Sequence, residues 1–381
     1  MLLSFLKNVS KIPFIHLAPK DTSRTGIASY ADTLHAALTK YAPSLSLIRV
    51  DASEFLARLS TFPKGAIVWA ELGVNEGEIF RALRVQKHNR PDFKRFITIH
   101  DSPRFVHSPF KFLEQFRKSF PLRAFRRAFN LAFEPLILWH ALQPNDTFLC
   151  LTTVGRDALQ YRLQRLLRRN FPVLVLPHLL YLDEPLPERR KDFAVPAKVG
   201  FFGFITPNKG LHLLIDAALL LLNSNKKAHI PKLIIRGRAL AQYQPYLDSQ
   251  REKVTRAGLA EHITFGDFLA DDEIPHFLSE IDFLALPYDA PPVIAASGVL
   301  QWARTYGVPV AASGTPAFRS LITHNHDGIL IPNNTPAEWA TFFERLSTQQ
   351  INSDDLSQGI QEKQREASWQ SVSQLVLSVI C

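Results

Sequence analysis

A chain of 381 residues is too long for one ordinary core at about 150 residues per domain, so two cores are expected. Hydrophobic residues at 46% and charged residues at 21% exclude a disordered protein and a fibre. Lys and Arg number 44 against 35 Asp and Glu, a formal +9 that favours an anionic partner such as nucleic acid, phosphate or an acidic lipid.

Residues 1–14 carry Leu2, Leu3, Phe5 and Leu6 but are interrupted by Lys7, Asn8, Lys11 and Pro13, so no signal peptide is expected. The apolar run 14–18 reads as a strand. The loop Pro19 to Gly26 follows, and then Ile27, Tyr30, Ala31, Leu34, Ala37 and Leu38 fall at helical spacing. Thr25 and Gly26 therefore stand where free N–H groups of a helix start could meet an anion or a sugar. The same residues also suit a plain strand-to-helix turn. Residues 47–50, 66–70 and 96–100 repeat the short apolar pattern, with a helix-like stretch at 78–85, and strands alternating with helices imply a parallel sheet covered on both faces. His100 and Asp101 end the strand 96–99, the edge at which ligands bind in such sheets. His100 can donate a hydrogen bond to a sugar hydroxyl there, or can cap the strand end or pair with Asp101.

Between 111 and 127 the residues Lys111, Arg117, Lys118, Arg123, Arg126 and Arg127 are interleaved with phenylalanines and leucines, and Arg162, Arg165, Arg168 and Arg169 form a second basic stretch over 162–169. Basic and large apolar residues alternating on helices suit an anionic membrane surface, although the apolar residues can equally pack inward and leave a solvated basic face. No helix-turn-helix, zinc or RNP-like pattern accompanies the charge, so nucleic acid is not expected. Cys150 and Cys381 stand alone, which points away from a disulfide framework or a zinc site and fits a reducing cytoplasm. No apolar run reaches the length of a spanning helix, so membrane contact is expected to be peripheral.

Residues 183–191, polar and with two prolines, read as the connector to a second domain. The stretches 199–203, 233–235, 263–265, 283–286 and 308–311 are its strands. Gly203 to Gly210 leaves the first of them and leads into a helix, placing Lys209 at a helix N-terminus, where an ammonium would neutralise a diphosphate. Ser297, Gly298 and Val299 open the helix after Tyr288 and Asp289. The Ser hydroxyl and the absent side chain at Gly298 would let phosphate oxygens approach the first-turn N–H groups, or Ser297 would serve only as an N-cap.

Taken together these segments resemble the retaining glycosyltransferases of the GT-B fold, family 4, over nearly the whole chain. The likeness rests on Thr25-Gly26-Ile27-Ala28-Ser29-Tyr30, Ile97-Thr98-Ile99-His100-Asp101, Val199 to Gly203 with Lys209-Gly210, Ser297-Gly298-Val299-Leu300, Tyr306 to Ala311, His326 to Pro332, and Trp369. The resemblance implies two Rossmann-like domains facing across a cleft: 1–182 binding the acceptor, 192–360 binding the donor, and a C-terminal helix in 361–381 crossing back to the first. It implies transfer of a sugar from a UDP- or GDP-linked donor to a glycan or lipid-linked acceptor, with His100 and Lys209 as catalytic residues. Lys209, Ser297, Gly298 and Val299 would bind the diphosphate, with Gly203, Asn208 and Tyr288 in the vicinity of the donor. No Asp-x-Asp motif occurs, so neither a metal nor any other cofactor is expected. Two features depart from the family. Its usual pair of glutamates would fall at Ile294 and Trp302, and its usual arginine before Lys209 is missing. A noncatalytic binding subunit, or a sugar-nucleotide epimerase or hydrolase on the same fold, stays open on that account.

Overall fold

The computed structural model describes residues 11–20, 26–106, 110, 120–183, 193–289 and 296–381, with backbone alone at 120–127, 130 and 131. Two compact units emerge. The described residues up to Leu179, with Ala296 and Ala367–Cys381, form one; those from Leu180, with Ser297–Glu366, form the other.

The first unit runs β1 (Ile12–Leu17), α1 (Gly26–Tyr41), β2 (Leu45–Val50), α2 (Ala52–Ala57), β3 (Ile67–Leu72), α3 (Gly77–Asn89), β4 (Lys94–Ile99), α4 (Phe120–Ala141), β5 (Thr147–Cys150), α5 (Thr153–Leu167) and β6 (Val173–Val175). The second runs β7 (Lys198–Ile205), α6 (Leu211–Asn223), β8 (Lys232–Ala239), α7 (Gln244–Arg256), β9 (Ile263–Gly266), α8 (Ile274–Glu280), β10 (Phe283–Leu286), α9 (Gly298–Thr305), β11 (Val310–Ser313), α10 (Pro316–Leu321), β12 (Ile329–Ile331), α11 (Pro336–Ser347) and α12 (Ser353–Glu366). The last helix, α13 (Trp369–Ile380), buries Val372, Val376 and Ile380 in the core that also holds Phe14, Tyr30 and Leu34 of the first unit. The tail is thus two helices, separated at Ala367 and Ser368, whose hydroxyl caps α13 by accepting from the Ser371 N–H.

Each unit is built on a six-stranded sheet, ordered β2-β1-β3-β4-β5-β6 in the first and β12-β11-β10-β7-β8-β9 in the second. All strand pairings are parallel. Side chains of a strand alternate between its faces, and here the alternation feeds two cores. Ile67, Trp69 and Phe96 point to one face, while Val68, Ala70 and Ile97 point to the other. In the second unit Val199, Phe201 and Ala285 serve one face, and Phe202, Leu284 and Leu286 the opposite one. Three strands, β5, β6 and β12, have no counterpart among the sequence-read strands. β6 and β12 are three residues long, too short to show a period of their own, and β5 has four. β11 begins after Pro309, which has no N–H to give to a ladder.

The strand order locates the candidate site. In a doubly wound sheet, successive connections leave in opposite directions at one place, and loops there diverge to leave a crevice at the carboxyl ends of the strands. That place is β1/β3 in the first sheet and β7/β10 in the second.

Candidate active site

At the first switch point, β1, β3 and β4 deliver His16, Glu71 and His100 to one buried cluster. Glu71 is fully buried, and its carboxylate accepts from His100 Nε2 at 2.8 Å through Oε2, and from Trp69 Nε1 at 2.9 Å and His16 Nε2 at 3.2 Å through Oε1. Burial works to raise the Glu71 pKa, but the hydrogen bonds from His100 and His16 outweigh it and hold the carboxyl at about 2. An ionised carboxylate only accepts, so both histidines carry their proton on Nε2. In neutral His100 the remaining Nδ1 is therefore an acceptor for a hydroxyl proton, and only the imidazolium would donate from it. The Tyr30 ring lies edge-on to both His100 and His178, with centroids 5.0 Å apart in each case. Its hydroxyl is buried without a hydrogen-bond partner among the described residues. Burial, and then the charge of Glu71, push the Tyr30 pKa well above the usual phenol value.

His100 thus pairs with Glu71. Asp101 instead accepts from the Val74 N–H at 2.9 Å. Gly26 is the first residue of α1, exposed and with open space where a Cβ would stand, while Thr25 lies outside the described residues. Sequence reasoning missed Glu71, His16 and Tyr30. The available signal was a lone acid and a lone histidine inside otherwise apolar strands, Glu71 in Ile67–Leu72 and His16 in Ile12–Leu17, since a buried strand carries a titratable residue only with a partner.

The second switch point is made mostly of backbone. Gly203, near the end of β7, has φ +114, a conformation that favours glycine, and Val299 of α9 would lie 3.9 Å from a Cβ there. Pro207–Lys209 form a single 3-10 turn, and Gly210 at φ +71 is the N-cap of α6. Lys209 therefore sits just ahead of the helix cap and outside the first turn, where it does not oppose the dipole. A Cβ at Gly210 would stand 1.8 Å from the Pro287 carbonyl oxygen, so only glycine allows the loops after β7 and β10 to meet. They are tied further by the Asp289 N–H donating to the Asn208 carbonyl at 3.0 Å. The Lys209 ammonium lies 3.6 Å from the centroid of the Tyr288 ring, a cation–π contact that holds the charge at the strand edge. The Tyr288 carbonyl in turn accepts from the Ser313 hydroxyl at 2.6 Å.

Ser297 caps α9, its hydroxyl accepting from the Leu300 N–H at 3.3 Å. The space before Gly298 is partly taken by protein, because a Cβ there would lie 2.9 Å from the Tyr181 hydroxyl. Tyr181 runs along the helix and stacks on Trp302 with centroids 4.3 Å apart, and Trp302 stacks on Tyr306 at 6.0 Å. Where the resembled family places its second glutamate, this chain has the middle ring of an aromatic stack. Ile294 lies outside the described residues, as do residues 184–191 of the connector and 111–119 of the first basic stretch. In the second basic stretch Arg162 is neutralised by Glu134, and Arg165, Arg168 and Arg169 are exposed. Among the described residues, no three His, Cys, Asp or Glu side chains gather as a metal cluster, and no helix is long and apolar enough to cross a membrane.

Residues 196–349 match the family described as Glycosyl transferases group 1. A D-inositol 3-phosphate glycosyltransferase of Jonesia denitrificans is 25% identical over 182 residues, covering 47% of this chain and 41% of that protein. Its counterpart in Corynebacterium efficiens is 26% identical over 191 residues, covering 49% of this chain and 44% of that protein. The match therefore spans less than half the length of either relative. Among solved structures, HepE of Anabaena in complex with UDP and glucose superposes with a TM-score of 0.66 at 16% identity, over 97% of this chain and 99% of that one. A glycosyltransferase from Rickettsia africae superposes with a TM-score of 0.65 at 11% identity, over 97% and 98%. The fold is GT-B along the length of the chain, and its C-terminal half carries the group 1 glycosyltransferase signature.

Proposed function

We propose that this protein is a glycosyltransferase that moves a sugar from a UDP- or GDP-linked donor to a glycan or lipid-linked acceptor with retention of configuration and without a metal. The observation that carries the reading is the β7/β10 switch point, where Gly203, the Lys209 ammonium and the capped start of α9 share the carboxyl edge of the sheet in the domain with the group 1 signature. UDP is the first base to test, since HepE, of the same fold, binds it.

In this reading the donor diphosphate rests on Lys209 and on the N–H groups of Gly298 and Val299. These are fixed in place before reaction and stabilise the charge that grows as the C1–O bond to diphosphate breaks. The acceptor oxygen bonds to C1 on the face the diphosphate leaves, and its proton passes to the departing phosphate oxygen. His100, fixed by Glu71, accepts a hydrogen bond from a sugar hydroxyl. The acceptor belongs to the first unit, and the basic residues of 111–127 and 162–169 bring that unit to an anionic membrane on its cytoplasmic side.

The test is product analysis with UDP- and GDP-sugars, with and without acceptor glycans, in EDTA and in Mn²⁺. Sugar transfer unchanged by EDTA supports the proposal. Donor hydrolysis or epimerisation without acceptor makes the protein another enzyme, and nucleotide binding without turnover makes it a binding subunit, as the Trp302 stack in place of a glutamate would allow.

A further inference from the structure

A cavity of about 420 Å³ opens in the first unit between α3 and α4, away from the switch point and unused by the proposed reaction. Its size is that of a small-molecule site, about 300–1,000 Å³. Phe129, Phe133, Leu136 and Ile137 of α4 line it with Phe110, and the α4 positions recur at helical spacing, so one face of that helix is committed to it. Phe133 and Leu136 remain 46% and 54% exposed. The other lining residues are Arg84, His88 and His140, all basic. Among the described residues no carboxylate, amide or hydroxyl side chain lines the cavity, so a sugar or a nucleotide would find few partners for its hydroxyls among them.

Positive charge lies at the lining in Arg84 and beside it in Lys87, three residues further along α3. The Arg84 guanidinium lies 5.1 Å from the Phe110 ring centroid. Lys87 donates to the Trp139 carbonyl at 2.7 Å and sits 5.6 Å from that ring, which is 53% exposed. Of the described acids, Glu134 is matched by Arg162 and buried Asp146 by Arg95. An apolar cavity with basic side chains beside it, flanked by an exposed Trp and a Lys stem, has the layering of a bilayer boundary: hydrocarbon inside, aromatic at headgroup depth, cation at the phosphate.

We propose that the cavity takes one acyl chain of an anionic phospholipid from the membrane, with the headgroup phosphate held by Arg84 and Lys87. The proposal rests on the membrane reading given above and adds a defined lipid site to it. The occupant is amphiphilic and anionic because the apolar lining of Phe110, Phe129, Phe133, Leu136 and Ile137 suits hydrocarbon, whereas the polar side chains beside it are basic.

The test uses the full chain with phosphatidylglycerol brominated along its acyl chains, in phosphatidylcholine vesicles, and as short-chain monomers below their micelle concentration. Bromine should quench the fluorescence that is lost in Trp139→Phe, in both forms of lipid. The double variant Phe133→Asp, Leu136→Asp changes half-exposed positions and should weaken binding at least about tenfold, since burial of two methylene groups already accounts for that much. Vesicle binding without Trp139 quenching, or unchanged in the double variant, overturns the site and leaves the membrane reading standing. Monomer binding with quenching but without vesicle binding keeps the site and removes the membrane reading. Response to neither form of lipid overturns the site.

Discussion

The two switch points answer the same topological rule with different materials. At β1/β3 the edge is built from ionisable side chains, with Glu71 holding His16, His100 and Trp69 in a buried network over which the Tyr30 ring is laid. At β7/β10 it is built from backbone: Gly203 and Gly210 in left-handed conformations, the α9 start capped by Ser297, and a single ammonium, Lys209. A backbone site recognises an anion through N–H groups that cannot titrate, whereas a side-chain site can be tuned by protonation and is sensitive to every partner it loses.

The largest effect is expected at Lys209. Lys209→Ala should lower transfer by at least about a hundredfold, roughly 3 kcal/mol from one preorganised charge, with the thermal midpoint unchanged because the side chain is only half-buried. Steady-state rates and a melting curve check both halves; near wild-type turnover would leave the diphosphate to the backbone alone. Glu71→Gln should act first on stability, lowering it by about 2 kcal/mol as charged hydrogen bonds to His16 and His100 are lost inside the core, and should slow transfer as well because His100 loses its anchor. Because the folded Glu71 pKa is depressed to about 2, below the roughly 4.3 of an unfolded glutamate, its contribution is full above that unfolded value and disappears as the pH falls toward 2. Urea titrations should therefore show the gap between wild type and variant closing over that interval. A gap constant with pH would mean that Glu71 acts by shape and not by charge.

Tyr288→Leu sharpens the comparison from the other side. It removes the ring beneath Lys209 and keeps the charge, so it should cost about 1 kcal/mol in transfer, several-fold and well short of the alanine variant at 209. The smallest effect concerns His35, whose ring stacks on His16 at a centroid distance of 5.9 Å. Burial first, then the charges of His16 and Arg49, hold its pKa down at about 4, so the unfolded chain binds a proton more readily below about pH 6.5. Stability should fall as the pH drops from there to about 4, and His35→Gln should remove that part of the slope in denaturant titrations. An unaltered slope would place the acid sensitivity of the first unit elsewhere.

The same distinction explains what could be read in advance. Gly203, Lys209, Gly210, Ser297 and Gly298 fall in two short segments, because a loop that turns from strand to helix draws its glycine, cap and cation from neighbouring positions. Local backbone geometry is a function of local sequence, and such a site shows as a motif. The α/β alternation, the two domains and the longer strands were legible for the same reason: the apolar period belongs to each segment alone. His100 was placed at its strand end, but its partner was not, since Glu71 stands 29 positions before it and 55 after His16.

Tertiary structure alone decided the rest. Strand order, and with it the location of both switch points, depends on which strands pair across the chain, and β6 or β12 carries too few residues to announce itself. Tyr181 reaches Gly298 and Trp302 from far along the sequence, so the glycine that reads as an opening for phosphate also makes room for a phenol. The cavity between α3 and α4 arises the same way, from phenylalanines whose spacing shows a helix face but not what that face covers. Period and capping are set by a few adjacent residues, whereas burial, pKa and partner are set by whatever packing brings near, and that information is distributed over the whole chain.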